Sequence, residues 1–171
     1  MPLKRIGEPG NWLPTSVERL VTVLANGITA GAYPNVYALR RNIAYNLQHI
    51  EFLDQCLVDL KLTGVLITQT WKTGIVVGCG IVESVLHYLI VTTGNQSTTD
   101  WETKQEFTGA NKTLEGKVYR IDSAVKEKLD VPKPVPMTFD AMIKKAESRR
   151  LLGNDHSVYA KLKRLRPLRN R

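Results

Sequence analysis

The sequence predicts an all-α protein, an antiparallel helical bundle with a small irregular or hairpin insertion between its third and fourth main helices. Two observations support this fold class. Apolar residues recur at helical spacing through most of the chain, and helix caps and glycines separate the patterned segments. At 171 residues, the chain suits one domain with a sizeable core. We expect residues 1–14 to form an N-terminal arm and residues 95–137 to form the insertion.

The first two helices are predicted from their caps. Thr15 and Glu18 match a capping box, and apolar residues follow at helical spacing until Gly27. Asn35 then caps a second helix of about 26 residues, whose apolar positions keep the spacing of one helix face.

The third helix is predicted over residues 65–92 and is apolar on all sides after Lys72. Its length alone would permit a membrane span, but Glu83 lies in its second half, and a charge near the bilayer centre costs about 3 kcal/mol. A helix that is apolar all round is normally surrounded by other helices. We therefore predict the most buried helix of the core and no membrane partner. Three glycines would let a neighbouring backbone come close: Gly74, Gly78 and Gly80.

Two further helices are predicted near the end of the chain. Thr138 caps a fourth helix that ends at Gly153. A final helix follows from Asn154 or Asp155. Between residues 94 and 137 the helical pattern fades, with weak alternation and one short strand pattern.

The chain is a neutral body with a basic end. It carries 24 Lys or Arg against 16 Asp or Glu, a net charge of +8. Ten of the basic residues and only two of the acidic ones lie within residues 141–171, so this segment holds the whole net charge. A basic helix of this kind favours nucleic acid or an acidic protein as its partner.

In the final helix, Leu162, Leu165 and Leu168 recur every three residues and form an apolar stripe. At 100° per residue, Arg169 falls about 40° from the centre of this stripe, on the apolar face. A guanidinium on that face needs a carboxylate, a phosphate or a wet cleft, because burying it unpaired is prohibitive. The alternative is that Arg169 reaches water at a frayed helix end, where Pro167 disturbs the last turn.

Glu83 and His87 lie four residues apart on the third helix and so share one face. Two such residues are half a metal site, and neither a second pair of this spacing nor a Cys pair completes it. We therefore predict no metal and no other cofactor. Two interpretations stay open: the residues form a hydrogen-bonded core pair, or Glu83 receives Arg169.

The two cysteines, Cys56 and Cys79, both fall within apolar helical patterns. A disulfide framework is therefore not expected, and a reducing cytoplasm is the predicted compartment. The first 14 residues lack the apolar run of a signal peptide.

The chain resembles the HEPN superfamily (higher eukaryotes and prokaryotes nucleotide-binding), antiparallel helical bundles that are often ribonucleases of toxin–antitoxin and phage-defence systems. The resemblance rests on the run Leu-Arg-Asn-Arg at residues 168–171, which matches the opening of that family's Arg-polar…His motif, and on the apolar helix that leads into it. Glu83 resembles the acidic residue that several such families place on a central helix facing the Arg.

The resemblance implies a metal-independent endoribonuclease in which two protomers bring their motifs into one cleft. Arg169 would hold the scissile phosphate, Asn170 would orient groups around it, and Glu83 would face the Arg. The His that should follow the Arg by four to six residues is missing, because the sequence stops at Arg171, and we expect weak or absent cleavage. RNA and a second protomer are the implied partners. The predicted contacts to nucleic acid are Lys161, Lys163, Arg164, Arg166 and Arg171.

Arg150 and His156 form one internal Arg-x5-His spacing, but Gly153 and the two residues after it predict a helix break between them. We keep this pair, with His87, as an alternative catalytic set. Two functions without catalysis also stay open. The basic helix would bind nucleic acid without cleaving it, or it would dock an acidic partner such as an antitoxin or another defence-system protein.

Overall fold

The computed structural model describes residues 13–29, 31 and 33–169, with the backbone alone at Arg169. The chain divides into a helical unit, Met1–Asn95 with Met137–Arg171, and a strand unit, Gln96–Pro136. The described residues contain five helices and four strands, in this order: α1 (Val17–Leu24), α2 (Val36–Asp59), α3 (Gly64–Thr92), β1 (Thr98–Thr108), β2 (Lys112–Leu114), β3 (Lys117–Tyr119), β4 (Asp122–Pro134), α4 (Phe139–Ser148) and α5 (His156–Arg169).

The prediction of an all-α bundle is wrong, because the protein is mixed α/β. β1 and β4 pair as a long antiparallel β-ribbon, and β2 and β3, which lie between them in the chain, form a second antiparallel pair. No residue of these four strands is buried. Because the strands need no apolar face, the alternation that normally signals a strand is faint in this segment.

Charged side chains join β1 to β4 across the β-ribbon. Lys104 forms ion pairs with Glu102 of its own strand at 2.8 Å and with Glu127 of β4 at 2.7 Å. Lys133 contacts Glu102 as well, at 2.8 Å. Hydrogen bonds from Lys104 and then Lys133 lower the pKa of Glu102 to about 2, so this carboxylate is ionised at neutral pH. Polar pairs rather than a buried face therefore accompany this strand pairing.

Side-chain caps begin three helices of the helical unit. Asn35 and Thr138 are confirmed as caps, since each side-chain oxygen accepts a hydrogen bond from the backbone N–H three residues later. The first helix is capped by Ser16 rather than Thr15, because the Ser16 hydroxyl accepts the equivalent bond at 3.3 Å. The N–H of Thr15 instead donates to a carboxylate oxygen of Glu51 at 2.7 Å, which ties the start of α1 to α2.

The core of the helical unit consists of two apolar clusters that share α3. The first joins α3 to α4 and α5 through these buried residues: Leu86, Ile90, Phe139, Met142, Ile143, Ala146, Tyr159 and Leu162. The second joins α3 to α2 and the connection before it through Ile28, Val36, Leu39, Ile43 and Tyr88. The second half of α3 therefore packs on two sides.

α3 is not the thoroughly buried helix that the sequence predicts. Its buried residues all lie in its second half: Cys79, Leu86, Tyr88 and Ile90. Every residue from 63 to 69 is exposed. Length and composition alone would let this helix cross a membrane, and only 22% of its most apolar window is buried within the protein. The absence of a membrane partner stays a prediction.

The glycines of α3 do not mark the close approach of another backbone. A Cβ atom at Gly78 or Gly80 would meet no atom beyond the local helix within 4 Å. A Cβ atom at Gly74 would touch only the side chain of Leu53, at 4.0 Å. The close-approach prediction is therefore wrong, and each glycine carries the usual helix-propensity cost of about 1 kcal/mol.

Candidate functional site

A turn between α4 and α5 sets the direction of the basic helix. Arg150 and Gly153 have positive φ angles, 52° and 85°, which redirect the chain after α4. The Tyr159 hydroxyl holds this turn, because it accepts a backbone N–H at 2.9 Å and donates to the carbonyl of Gly153 at 3.0 Å. At the start of α5, hydrogen bonds from Ser157 lower the pKa of Asp155.

Buried side chains of α5 pack in the first core cluster, and its exposed side chains carry positive charge. Tyr159 and Leu162 are buried in the first core cluster, and Leu165 is half-buried against it. Four exposed cationic side chains lie on the remaining surface of the helix, and we call them the basic face: Lys161, Lys163, Arg164 and Arg166. The buried residues therefore hold these charges toward solvent at fixed spacing.

Acidic residues of α4 contact part of the basic face. Lys163 pairs with Glu147 at 2.7 Å. Arg166 pairs with Asp140, which also holds Lys144 at 2.8 Å. Hydrogen bonds from Lys144 and then Arg166 lower the pKa of Asp140. The other two members of the basic face make no ion pair within the described part of the chain, so their charge is available to a ligand.

The end of α5 lies along α3. The Leu165 carbonyl is 4.0 Å from Sγ of Cys79. Leu168 lines a groove of about 450 Å³ together with residues between Lys72 and Val77. This groove adjoins the part of α3 that the core leaves exposed.

The roles predicted for the end of the chain stay predictions. The Arg169 side chain lies outside the described residues, and so do Asn170 and Arg171. Glu83 does not line the groove beside Leu168. It lies seven residues beyond the groove's Val76 on α3, about 10 Å along the helix, and lines a separate cleft.

A polar cleft of about 600 Å³ opens between α2 and α3. It is lined by Tyr33, Asn42, Tyr45, Asn46, Gly80, Glu83, Ser84, His87 and Met142. Its volume is within the range of small-ligand sites. The structure thus brings Glu83 and His87 to one cleft, which agrees with their shared helix face.

His87 is oriented by Tyr33. The Tyr33 hydroxyl and Nδ1 of His87 are hydrogen-bonded at 3.0 Å, and their rings meet edge to face with centroids 5.6 Å apart. Burial raises the pKa of Tyr33, so its phenol is protonated at neutral pH. Because Nδ1 is engaged, Nε2 is the ring nitrogen left to exchange a proton with a ligand.

Arg41 places a positive charge beside the cleft. Its guanidinium lies 5.4 Å from the ring centroid of Tyr45, a cleft residue, and donates a hydrogen bond to that hydroxyl. It also lies 5.8 Å from the ring of Tyr37 and donates to its hydroxyl. The bonds to Tyr45 and then Tyr37 raise the pKa of Arg41.

The sequence reasoning missed the α2 side of the cleft. Asn42 and Asn46 lie four residues apart and so share a face of α2, which was the available signal. Tyr33 lies in the connection before α2, where residue spacing carries no information about neighbours.

The alternative pair, Arg150 and His156, lies on either side of the predicted helix break. Both side chains are exposed, and neither lines the polar cleft that contains His87. The Arg150 guanidinium donates to the side-chain oxygen of Asn154 at 3.5 Å. The structure therefore does not bring this pair together with His87.

Comparisons with known proteins do not identify a family. No protein-family model, curated protein or solved structure matches the chain. The HEPN resemblance therefore stays a prediction that rests on residues 168–171 and Glu83. Among the described residues, no group of three His, Cys, Asp or Glu side chains is placed to hold a metal ion.

Proposed function

We propose that the protein binds RNA through the basic face of α5. The observation that supports this most is the division of the helix, in which Tyr159 and Leu162 are buried and all four cations are exposed. Because buried side chains already anchor α5, the helix needs little further ordering when a ligand binds to its charges. Phosphates that meet these charges release counterions, which drives binding without base recognition. The choice of RNA over DNA rests on the HEPN resemblance.

Fluorescence anisotropy with a single-stranded RNA, at several salt concentrations, tests this proposal. Each phosphate contact adds about 0.7 to the slope of log affinity against log salt for a single strand. The double variant Lys161→Gln/Arg164→Gln should therefore lower the slope by about 1.4. The control, Lys126→Gln/Lys128→Gln, makes the same charge change at exposed positions of β4 and should leave the slope unchanged. Equal losses in both variants would contradict the proposal.

An acidic protein would use the same charges as RNA. If an antitoxin or other acidic partner co-purifies with this protein, it should compete with RNA for the basic face. The Lys161→Gln/Arg164→Gln variant should then lose both ligands together. Loss of RNA alone would place the acidic partner elsewhere on the surface.

We also propose metal-independent RNA cleavage as a second function, because one cleft contains His87, Glu83 and Tyr33. His87, with Nε2 unprotonated, would take the proton of a ribose 2′-hydroxyl as that oxygen attacks the adjacent phosphate. The bond from phosphorus to the 5′-oxygen would break, and that oxygen would leave with a proton from water, which gives a 2′,3′-cyclic phosphate. In this mechanism Nδ1–H would donate to the Tyr33 hydroxyl oxygen, which holds the imidazole in place and leaves Nε2 to accept the proton. The chain end is the other candidate site, where the Arg169 guanidinium would stabilise the charge that develops on the phosphate, as the resemblance implies.

Incubation of the protein with RNA in the presence of EDTA tests this second function. His87→Gln should lower the cleavage rate by about 100-fold or more, the usual contribution of a general base. Arg169→Ala separates the two candidate sites. If Arg169→Ala is inactive while His87→Gln keeps full activity, cleavage depends on the motif at the chain end and not on the cleft. No cleavage by the unaltered protein would refute the proposal.

A further inference from the structure

One face of α2 carries a row of exposed aromatic rings. Tyr37, Tyr45 and Phe52 are 59%, 46% and 44% exposed. At 100° per residue, these three residues fall within about 120° of the helix circumference together with Arg41 and His49, and we call the five residues the aromatic stripe. The stripe extends about 22 Å along α2, at 1.5 Å per residue, which is long enough for several nucleotides of a single strand.

Contacts within the aromatic stripe hold its side chains in place. The Arg41 guanidinium donates hydrogen bonds to the hydroxyls of Tyr37 and Tyr45 and lies 5.8 Å and 5.4 Å from the centroids of their rings. The rings of His49 and Phe52 lie 6.4 Å apart between centroids and are inclined by 34°. Because these contacts order the rings before a ligand arrives, less conformational entropy is lost on binding.

Arg41 gives the aromatic stripe a positive charge that a ligand can use. It forms no ion pair with a carboxylate in the described part of the chain. Glu51, the only carboxylate between the ends of the stripe, accepts the N–H of Thr15. Aromatic rings interleaved with a cation are typical of surfaces that bind single-stranded nucleic acid, since bases stack on the rings and phosphates contact the cation.

The aromatic stripe leads to the polar cleft. Tyr45 belongs to the stripe and also lines the cleft, and Asn42 and Asn46, which follow Arg41 and Tyr45 in the chain, line it as well. An RNA strand that follows the stripe would therefore reach the cleft that contains His87. Paired bases are stacked within their duplex, so only unpaired nucleotides can stack on these rings.

We infer that the aromatic stripe of α2 is a stacking surface for unpaired RNA bases, with Arg41 in contact with a phosphate between them. The inference rests on the proposal that RNA is the ligand, and it adds that this RNA is single-stranded. It differs from the basic face of α5 in a measurable way. Removal of an aromatic ring changes no charge, so it lowers the affinity without changing the salt slope.

Fluorescence anisotropy with a single-stranded RNA, and with a duplex RNA of the same length, tests this inference. Tyr37→Ala and Phe52→Ala should each weaken single-strand binding by about 5-fold or more, the usual effect of removing one stacking ring. Neither variant should change the salt slope or the affinity for the duplex. The matched control is Tyr119→Ala on β3, since Tyr119 is 51% exposed. This control should bind the single strand like the unaltered protein.

Tyr37→Phe keeps the ring and should also bind single-stranded RNA like the unaltered protein. Circular dichroism should show native helix content in both alanine variants, because neither side chain is buried. The inference would be refuted if both alanine variants bound the single strand normally, or if they lost affinity for the duplex to the same extent. A protein partner that is lost in Tyr37→Ala while RNA binding is unchanged would also refute it and assign the stripe to protein.

The two RNA surfaces can fail separately in this experiment. If Lys161→Gln/Arg164→Gln keeps the normal salt slope while Tyr37→Ala and Phe52→Ala weaken single-strand binding, the basic face is wrong and the aromatic stripe stands. The reverse result would refute the stripe and support the basic face. An unaltered protein that binds no RNA would refute both.

Discussion

Both halves of α3 contain many apolar residues, but their surroundings are very different. Leu86, in the second half, is 1% exposed, whereas Leu66, in the first half, is 52% exposed. α4 and α5 contribute a cluster of apolar side chains against the second half, and α2 and its preceding connection cover another side of it. The comparison shows that an apolar helix is buried only where other segments of the chain reach it.

The largest expected difference between the two halves is in stability, when the same change from leucine to alanine is made in each half. Leu86→Ala should lower the free energy of unfolding by about 3 kcal/mol, because it removes buried methyl groups and leaves a cavity. Leu66→Ala should lower it by at most about 0.5 kcal/mol. Urea unfolding followed by circular dichroism measures both values. Equal losses would show that the two halves are packed alike.

A smaller loss of stability is expected when the hydrogen bonds that hold the second half of α3 are removed. Tyr88→Phe removes the hydroxyl that serves both backbone groups of Thr29. Leaving those groups without a partner should cost about 2 kcal/mol. The control Tyr37→Phe removes a hydroxyl that accepts only an exposed hydrogen bond from Arg41, on a residue that is 59% exposed, and should cost less than about 0.5 kcal/mol. If thermal unfolding gives the two variants the same midpoint, these bonds do not anchor α3.

The smallest expected change in stability is at Gly78, which lies at the boundary between the two halves of α3. Because a Cβ atom there meets nothing within 4 Å beyond the local helix, Gly78→Ala should raise the free energy of unfolding by roughly 0.5–1 kcal/mol. Urea unfolding would detect this gain. A loss of stability instead would mean that the tight packing of the second half extends to this position.

Much of the helical unit was predictable because its signals are local. Asn35 and Thr138 cap the helices that the sequence assigned to them, and the spacing of Glu83 and His87 placed both on the face that lines the cleft. Local patterns could not reveal the β-ribbon, because its strands bury no residue and its pairing joins positions as distant as Thr98 and Pro134.

The polar cleft illustrates the same limit at a candidate site. Tyr33 meets His87 across 54 positions of sequence, through a hydrogen bond that no spacing rule encodes. The basic face is the opposite case, since its four charges lie within one helix near the end of the chain and can be read directly from the sequence. Its ion pairs with Asp140 and Glu147 nevertheless depend on how α4 packs beside α5.

The sequence by itself determined where most helices begin and end, and that the net charge lies in the last part of the chain, because caps, spacing and charge act over a few residues. Only the tertiary structure decided which half of α3 is buried, that residues 98–134 pair as strands, and which side chains share the polar cleft. Those outcomes depend on contacts between distant segments, whose free energy is set by which surfaces meet.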